Sequence, residues 1–374
     1  MTAAVDRRQI ALSRPLVDER DEELVLEVLR SGRLSLGPTG PRFEELLARA
    51  VGARRCAAVS SGTAGLHLCM RLAGVGPGDE VITSPYSFVA SANCALYEGA
   101  TPVFADVDPR TLNLDPAAVE AAVTDRTRAV VAVDIFGYPC ELDELTAICE
   151  RHGLALVEDA CEALGAEYRG APIGSHGHPA VFAFYPNKQI TTGEGGAVTT
   201  AGEDEWKLLV SLRNQGRADS GGWLEHARYG YNYRLDDLSA ALGIGQLEKL
   251  ETILAARREV AARYGELLAG LDVEPPLADD DEHVRSWFVY VVKLPAGADR
   301  ERVIAGLETR GVASARYLPS IHLQPYMRER FGFSEGMLPV SEAVSARTLA
   351  LPFHASLAAE DQEYVVDALR ATIG

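Results

Sequence analysis

Seven short apolar runs succeed one another through the first half of the chain: Cys56 to Val59, Val81 to Ser84, Pro102 to Val107, Ala129 to Asp134, Ala155 to Glu158, Val181 to Phe184, and Gly196 to Thr199. Helical stretches separate most of them. Strands alternating with helices predict an α/β sheet that is mostly parallel. The last run follows its predecessor after only the turn Thr191-Thr192-Gly193-Glu194-Gly195. That turn is too short for a parallel crossover, so the last strand is expected to run antiparallel.

From Leu242 the pattern changes. A long helix from Ile244 to about Leu268 is expected to bridge into a smaller unit, dividing the chain into residues 1–243 and 244–374. After Pro275-Pro276 and the acidic loop Asp279-Asp280-Asp281-Glu282, the pattern predicts a strand over Trp287 to Leu294 and a helix over Arg300 to Thr309. A loop-rich stretch follows from Tyr317, and a helix over Asp361 to Ile373 closes the chain.

Composition narrows the class. With 374 residues, 47% of them hydrophobic and 24% charged, the chain has the make-up of a globular protein with a large core. No apolar run approaches a membrane span and the start MTAAVDRRQI lacks a signal-peptide core, so a cytoplasmic protein is expected. Cys56, Cys69, Cys94, Cys140, Cys149 and Cys161 form no CxxC pair and read as reduced, buried thiols. A net charge of −18 argues against a nucleic-acid partner, whose phosphates demand basic surface. It leaves room for a small anionic ligand, because a local arginine cluster can hold a pyrophosphate within an acidic protein. His67, His176, His178, His226 and His354 show no spacing that implies a metal site.

The chemistry concentrates in Phe184 to Gly196, FYPNKQITTGEGG. Lys188 is one of four lysines in the chain, against thirty-two arginines. At the end of an apolar strand it is well placed to form a Schiff base, since partial desolvation favours the neutral, nucleophilic amine. The run Leu154 to Asp159 ends in a carboxylate, as a parallel strand does when it presents an acid at the sheet edge where ligands bind. Alone, Lys188 reads as a solvated loop lysine and Asp159 as a helix N-cap. Together they suggest pyridoxal phosphate (PLP), which needs an amine for its aldehyde, an anion for its ring nitrogen and a cradle for its phosphate. The cradle is Ser60-Ser61-Gly62-Thr63-Ala64-Gly65 between a strand and the helix Leu66 to Leu72. There the helix N-terminus offers free N–H groups, Gly62 allows close approach, and Thr63 adds a hydroxyl.

In order along the chain, SSGTAGLHL, GVGPGDEVITSPYSFVASANCALYEGATPVFADVDP, VEDACEALGA, FAFYPNKQITTGEGG and YGYNYRLDDLSAALGIGQLEKL resemble the DegT/DnrJ/StrS family of sugar aminotransferases, from about Ile10 to the end. The resemblance implies a fold-type I PLP enzyme: a large domain with a seven-stranded, mostly parallel sheet and a smaller C-terminal α+β domain. It aligns Lys188 with the Schiff-base lysine, Asp159 with the acid on the pyridinium nitrogen, and Phe88 with the aromatic stacked on the ring. Asn232, in Tyr231-Asn232-Tyr233-Arg234, resembles the asparagine that reaches the phosphate from a neighbouring subunit, which implies a homodimer with shared sites.

Two positions depart from the common pattern. Glu162 stands where glutamine is usual, as in a perosamine-synthase-like subset. A charged carboxylate beside a phenolate would be repelled, so Glu162 is expected to be protonated or turned towards a donor. Ala183 stands where a serine often serves the phosphate, so the cradle has one donor fewer. The loop holding Ser35 and the stretch holding Arg316 and His322 match regions that meet the nucleotide sugar. The implied reaction moves an amino group, from L-glutamate, to a keto group of a nucleotide-linked deoxysugar, nearest to the C-4 enzymes. A cyclitol aminotransferase and a non-catalytic PLP-binding regulator remain open on the residues alone.

Overall fold

Strands buried on both faces can be apolar at every position, and that is how the large sheet is built. The computed structural model describes residues 8–218 and 225–373. Within them, β1 (Arg55–Val59), β2 (Glu80–Thr83), β3 (Thr101–Phe104), β4 (Thr127–Val133), β5 (Ala155–Asp159), β6 (Ala180–Ala183) and β7 (Gly196–Thr200) form one sheet in the order β1-β7-β6-β5-β4-β2-β3. All pairings from β6 through β3 are parallel, whereas β7 pairs antiparallel with both β6 and β1. The antiparallel last strand is as the short turn predicts.

Side chains alternate across the sheet. Cys56 and Ala58 of β1, Leu156 of β5 and Phe182 of β6 face a core shared with Phe43, Leu47 and Ile253. Their neighbours Ala57, Val59, Val157 and Val181 face another, shared with Leu66, Met70 and Leu209. Helices therefore cover both faces, and the carboxyl ends of the parallel strands remain at one edge.

A second sheet of three antiparallel strands, β8 (Tyr290–Lys293), β9 (Ala315–Arg316) and β10 (Thr348–Leu351), runs in the order β8-β10-β9. Tyr290, Val292 and Leu294 pack with Val303, Leu307, Val365 and Leu369 into a core of their own.

Four expectations need correction. The long helix begins earlier and is broken: Asp237–Glu248 and Leu250–Leu267 meet at Lys249, whose φ is −118°. Lys249 Nζ pairs there with Asp18 at 2.8 Å and with Asp21, so tertiary contacts fix the break. The strand predicted from Trp287 starts only at Tyr290, because Trp287 takes a φ of 56°. The third run pairs in the sheet only as far as Phe104, short of Val107. The stretch after Tyr317 holds two helices, Pro325–Phe331 and Pro339–Arg347, each with proline in its first turn.

Candidate active site

The site lies where β5 and β6 end beside the first turn of the helix Gly62–Leu72. Ser61 caps that helix, its Oγ accepting the N–H of Ala64 at 3.1 Å. The first N–H groups of a helix have no partner inside it, so those of Gly62 and Thr63 are free for an anion. Two glycines keep the space around them tight. A Cβ on Gly62 would meet Cys161 Sγ at 2.7 Å and Ala183 Cβ at 2.9 Å, and one on Gly196 would meet the Ser61 carbonyl carbon at 2.6 Å. Ala183 therefore faces the cradle, where a serine would have added a hydroxyl.

Asp159 closes β5 and is 5% exposed. Its Oδ2 accepts from Ser91 Oγ at 2.7 Å and its Oδ1 from the Cys161 N–H at 3.3 Å. Ser91 Oγ also lies 3.2 Å from the Phe88 carbonyl, so one hydroxyl ties the acid to the segment that presents the aromatic ring. The Phe88 side chain is 62% exposed, an unusual exposure for phenylalanine and what a stacking platform requires.

Lys188 sits in the turn after β6. Its Nζ is 3.4 Å from Glu162 Oε1 and 3.9 Å from the centre of the Phe288 ring. Glu162 is buried, and its Oε2 accepts the Phe136 N–H at 2.8 Å. Burial pushes the Glu162 carboxyl above its ordinary range; the nearby Lys188 charge and the Phe136 N–H oppose this without cancelling it. The acid is thus turned to two donors. Gln189 Nε2 donates to the Glu162 carbonyl at 2.5 Å and to Ser286 Oγ at 2.7 Å, which locks the Lys188 turn against Glu162.

Four participants were not singled out from the sequence. Arg257 is 2% exposed and donates to the carbonyl oxygens of Lys188 at 3.0 Å, Trp287 at 3.2 Å and Phe288 at 3.1 Å. Burial lowers its pKa to about 10. Phe136, at a φ of 55°, and Phe288 wall the site, and the ring of Tyr317 packs on both at 5.9 and 6.3 Å between centroids. Burial, and then the charge of Glu162, raise the Tyr317 phenol above its ordinary range. No local motif marks these residues, since each meets Lys188 or Glu162 only through the fold.

The remaining expected residues are not gathered at Lys188. Asn232 is exposed, on a stretch fixed to the cradle strand by the Ser60 N–H to Tyr233 carbonyl bond of 2.8 Å and by Tyr233 Oη at 3.0 Å from His67 Nδ1. Ser35 is exposed on a loop anchored where Asp237 Oδ1 accepts the Gly37 N–H at 3.2 Å. Arg316 turns outward to Glu301 at 2.5 Å, and its side chain is 58% exposed. His322 is fully buried, between Phe104 and Phe333, with Nε2 3.1 Å from Glu342. Arg316 is thus held in a surface ion pair and His322 is enclosed by its neighbours, both apart from Lys188.

A lysine and a carboxylate at neighbouring strand ends, beside a glycine-lined anion cradle on a mostly parallel α/β sheet, define a PLP-dependent enzyme. The cradle, Asp159 and Lys188 fit the phosphate, the ring nitrogen and the aldehyde of that cofactor. Comparison agrees. Residues 15–370 match the DegT/DnrJ/EryC1/StrS aminotransferase family, and the chain belongs to it. It is similar to the spore coat polysaccharide biosynthesis protein SpsC of Bacillus subtilis, 39% identical over 96% of this chain and 95% of that one. It is 38% identical to the GDP-perosamine synthase of Caulobacter vibrioides over 97% and 98%. The PLP form of a sugar aminotransferase, Spr1654 of Streptococcus pneumoniae, superposes with a TM-score of 0.93 at 28% identity, covering 98% of each chain. The protein is a PLP-dependent sugar aminotransferase.

Proposed function

We propose that this enzyme transfers an amino group from L-glutamate to the C-4 keto group of a nucleotide-linked 4-keto-6-deoxyhexose. The observation that carries the reading is Glu162, set 3.4 Å from Lys188 Nζ where glutamine is the commoner residue. The same acid marks the perosamine-synthase-like subset, and a GDP-perosamine synthase is among its relatives.

When bound, PLP supplies an electron sink and carries the amino group between two half-reactions. The chain does the rest. Lys188 Nζ would hold the cofactor through its aldehyde and, when free, would be the group that moves a proton between two carbons. Asp159 would keep the ring nitrogen protonated, Phe88 would cover a ring face, and the Gly62 and Thr63 amides with the Thr63 hydroxyl would take the phosphate. Glu162, held by the Phe136 N–H, would offer a proton to the cofactor's phenolic oxygen.

Asn232 and its exposed neighbour Tyr229, 74% exposed, fit a surface that completes the cradle of a second copy, so the working unit is a homodimer. All six cysteines are free, which fits the reducing cytoplasm.

The test is absorption spectroscopy of the PLP-loaded protein before and after L-glutamate, followed by a panel of keto acceptors. Loss of the visible band on adding L-glutamate, and turnover with a nucleotide-linked 4-keto sugar, are expected. Turnover with a keto-inositol alone would replace the sugar reading by the cyclitol one, and a band that persists would remove L-glutamate as donor.

A further inference from the structure

A cleft lined in part by Phe136, the residue whose N–H holds Glu162, has no part in this chemistry. Arg110, Thr111, Leu112, Arg285, Val291 and Lys293 line it, together with the 275–277 segment. It therefore opens between the large sheet's loops and the face of β8 that turns away from the Tyr290 and Val292 core.

Its charge is unusual. Arg285 is 4% exposed and lies over the rings of Tyr138 at 4.7 Å and Trp287 at 5.2 Å. Its guanidinium makes one hydrogen bond among the described residues, from Nη1 to the Phe136 carbonyl at 3.2 Å, and its buried Nε has no partner. Asp279, the nearest carboxylate in charge terms, takes the Arg285 backbone N–H at 3.0 Å. Lys293 Nζ pairs with Glu274 at 3.1 Å and donates to the Pro109 carbonyl at 3.2 Å, but Glu274 also serves Arg347 at 2.5 Å. Arg110 is exposed, and no described residue takes a bond from its side chain. Three basic residues thus line a cleft whose lining includes no carboxylate, although an adjoining cleft that shares Arg110, Thr111 and Leu277 carries Asp108, Asp115, Glu141 and Asp280. A buried guanidinium with unused donors is costly unless an anion meets it.

We propose that this cleft binds the phosphate group of a small molecule, held by the Arg285 fork and by Arg110 and Lys293 at its mouth. Two or more positive charges favour a dianion, and arginine forks match phosphate oxygens. The ligand is inorganic phosphate or a nucleoside diphosphate. Occupancy bears on the active site, because Arg285 holds the carbonyl of the residue whose N–H holds Glu162.

The experiment is calorimetric titration of the PLP-loaded enzyme, whose own phosphate cradle is filled, with inorganic phosphate and separately with a nucleoside diphosphate. The wild type is compared with Arg110→Ala, an exposed substitution whose folding is checked by retention of the cofactor band. At least one ligand is expected to bind the wild type and to weaken about tenfold or more in the variant, the worth of one charge-assisted contact. The tighter ligand identifies the source. Equal affinity in both proteins, or no saturable binding of either ligand to the wild type, overturns the site.

Discussion

Arg257 donates to the backbone carbonyl of Lys188 at 3.0 Å from a helix far along the chain. The same guanidinium reaches the carbonyls of Trp287 and Phe288, so a single buried cation joins the lysine turn to the segment that walls it. Lysine has three donors on a single nitrogen and a shorter reach, so it cannot span carbonyls that Arg257 meets from two separate nitrogens, Nη1 and Nη2. Arg257→Lys is expected to lower stability by about 2–4 kcal/mol and to weaken cofactor retention. Denaturant titration and the visible spectrum read the two effects; a variant of unchanged stability would show the three bonds to be incidental.

Lys188→Ala should keep the fold and lose turnover by about four orders of magnitude or more, because both the covalent attachment and the proton carrier go with the side chain. Its spectrum with PLP should lack the lysine-linked band. Activity retained in this variant would sink the mechanism.

Glu162→Gln tests the protonation of the acid. Burial favours the neutral form, and glutamine copies its shape and donor, so the pH dependence of the cofactor band should move by less than about half a unit, small beside the 1.4 kcal/mol that a full unit represents. A sharp shift would mean that Glu162 works as an ionised carboxylate.

The cradle gives a pair of opposed predictions. Gly196→Ala drives a methyl into backbone at Ser61, which has little room to yield, and cofactor affinity should fall about tenfold or more. Ala183→Ser adds a hydroxyl where Ala183 faces Gly62, and affinity should rise by a few-fold, within the worth of one hydrogen bond of about 0.5–1.5 kcal/mol. Equilibrium titration with PLP measures both. No change in Ala183→Ser would remove that strand end from the phosphate site.

Behind Asp159 lies a buried pair of acids. Glu158 faces Ala132 across β5 and β4, and Asp134 is two residues on, on the same side. Burial raises both carboxyls, Asp134 to about 7, and Asp134 Oδ2 and Glu158 Oε1 have no partner among the described residues. A folded state that holds a proton the unfolded chain has released loses stability as pH rises. For Asp134 the loss begins near pH 4, the unfolded range, and levels off above about 7, with a slope of at most about 1.4 kcal/mol per pH unit for its one proton. Asp134→Asn should flatten this part of the profile of Tm against pH. An unchanged profile would mean that other groups set it.

The parallel strands were legible because each is buried on both faces and so announces itself as an apolar run. The N-terminal helix Glu19–Ser31 carries a signal of its own in the sequence: Asp18 and Asp21 form a reciprocal capping box, ahead of apolar positions Leu24 and Val28. The break at Lys249 left none, since the apolar pattern continues through it and the cause is a contact with Asp18 and Asp21. Within the site, Lys188, Asp159 and Glu162 carried recognisable local settings. Arg257, Phe288 and Tyr317 did not, because a buried arginine or an aromatic wall looks like ordinary core until the distant turn it serves is folded against it. His322 alone reads as a surface histidine, and it is packing by Phe104 and Phe333 that buries it.

The place of β7 between β1 and β6 carries a consequence for biosynthesis. Every side chain assigned to the cofactor except Asn232 has been synthesised once Lys188 emerges, yet the strand that joins Val59 to Ala183 has not. Until Gly196 to Thr200 slides into that gap, the edge strand β1 is unpaired with the rest of the sheet and the helix at Gly62 rests on β6 without β7 beside it. A nascent chain halted before Thr200 would possess the reactive amine without the means to grip the molecule it reacts with, so cofactor capture is timed to the closing of the sheet.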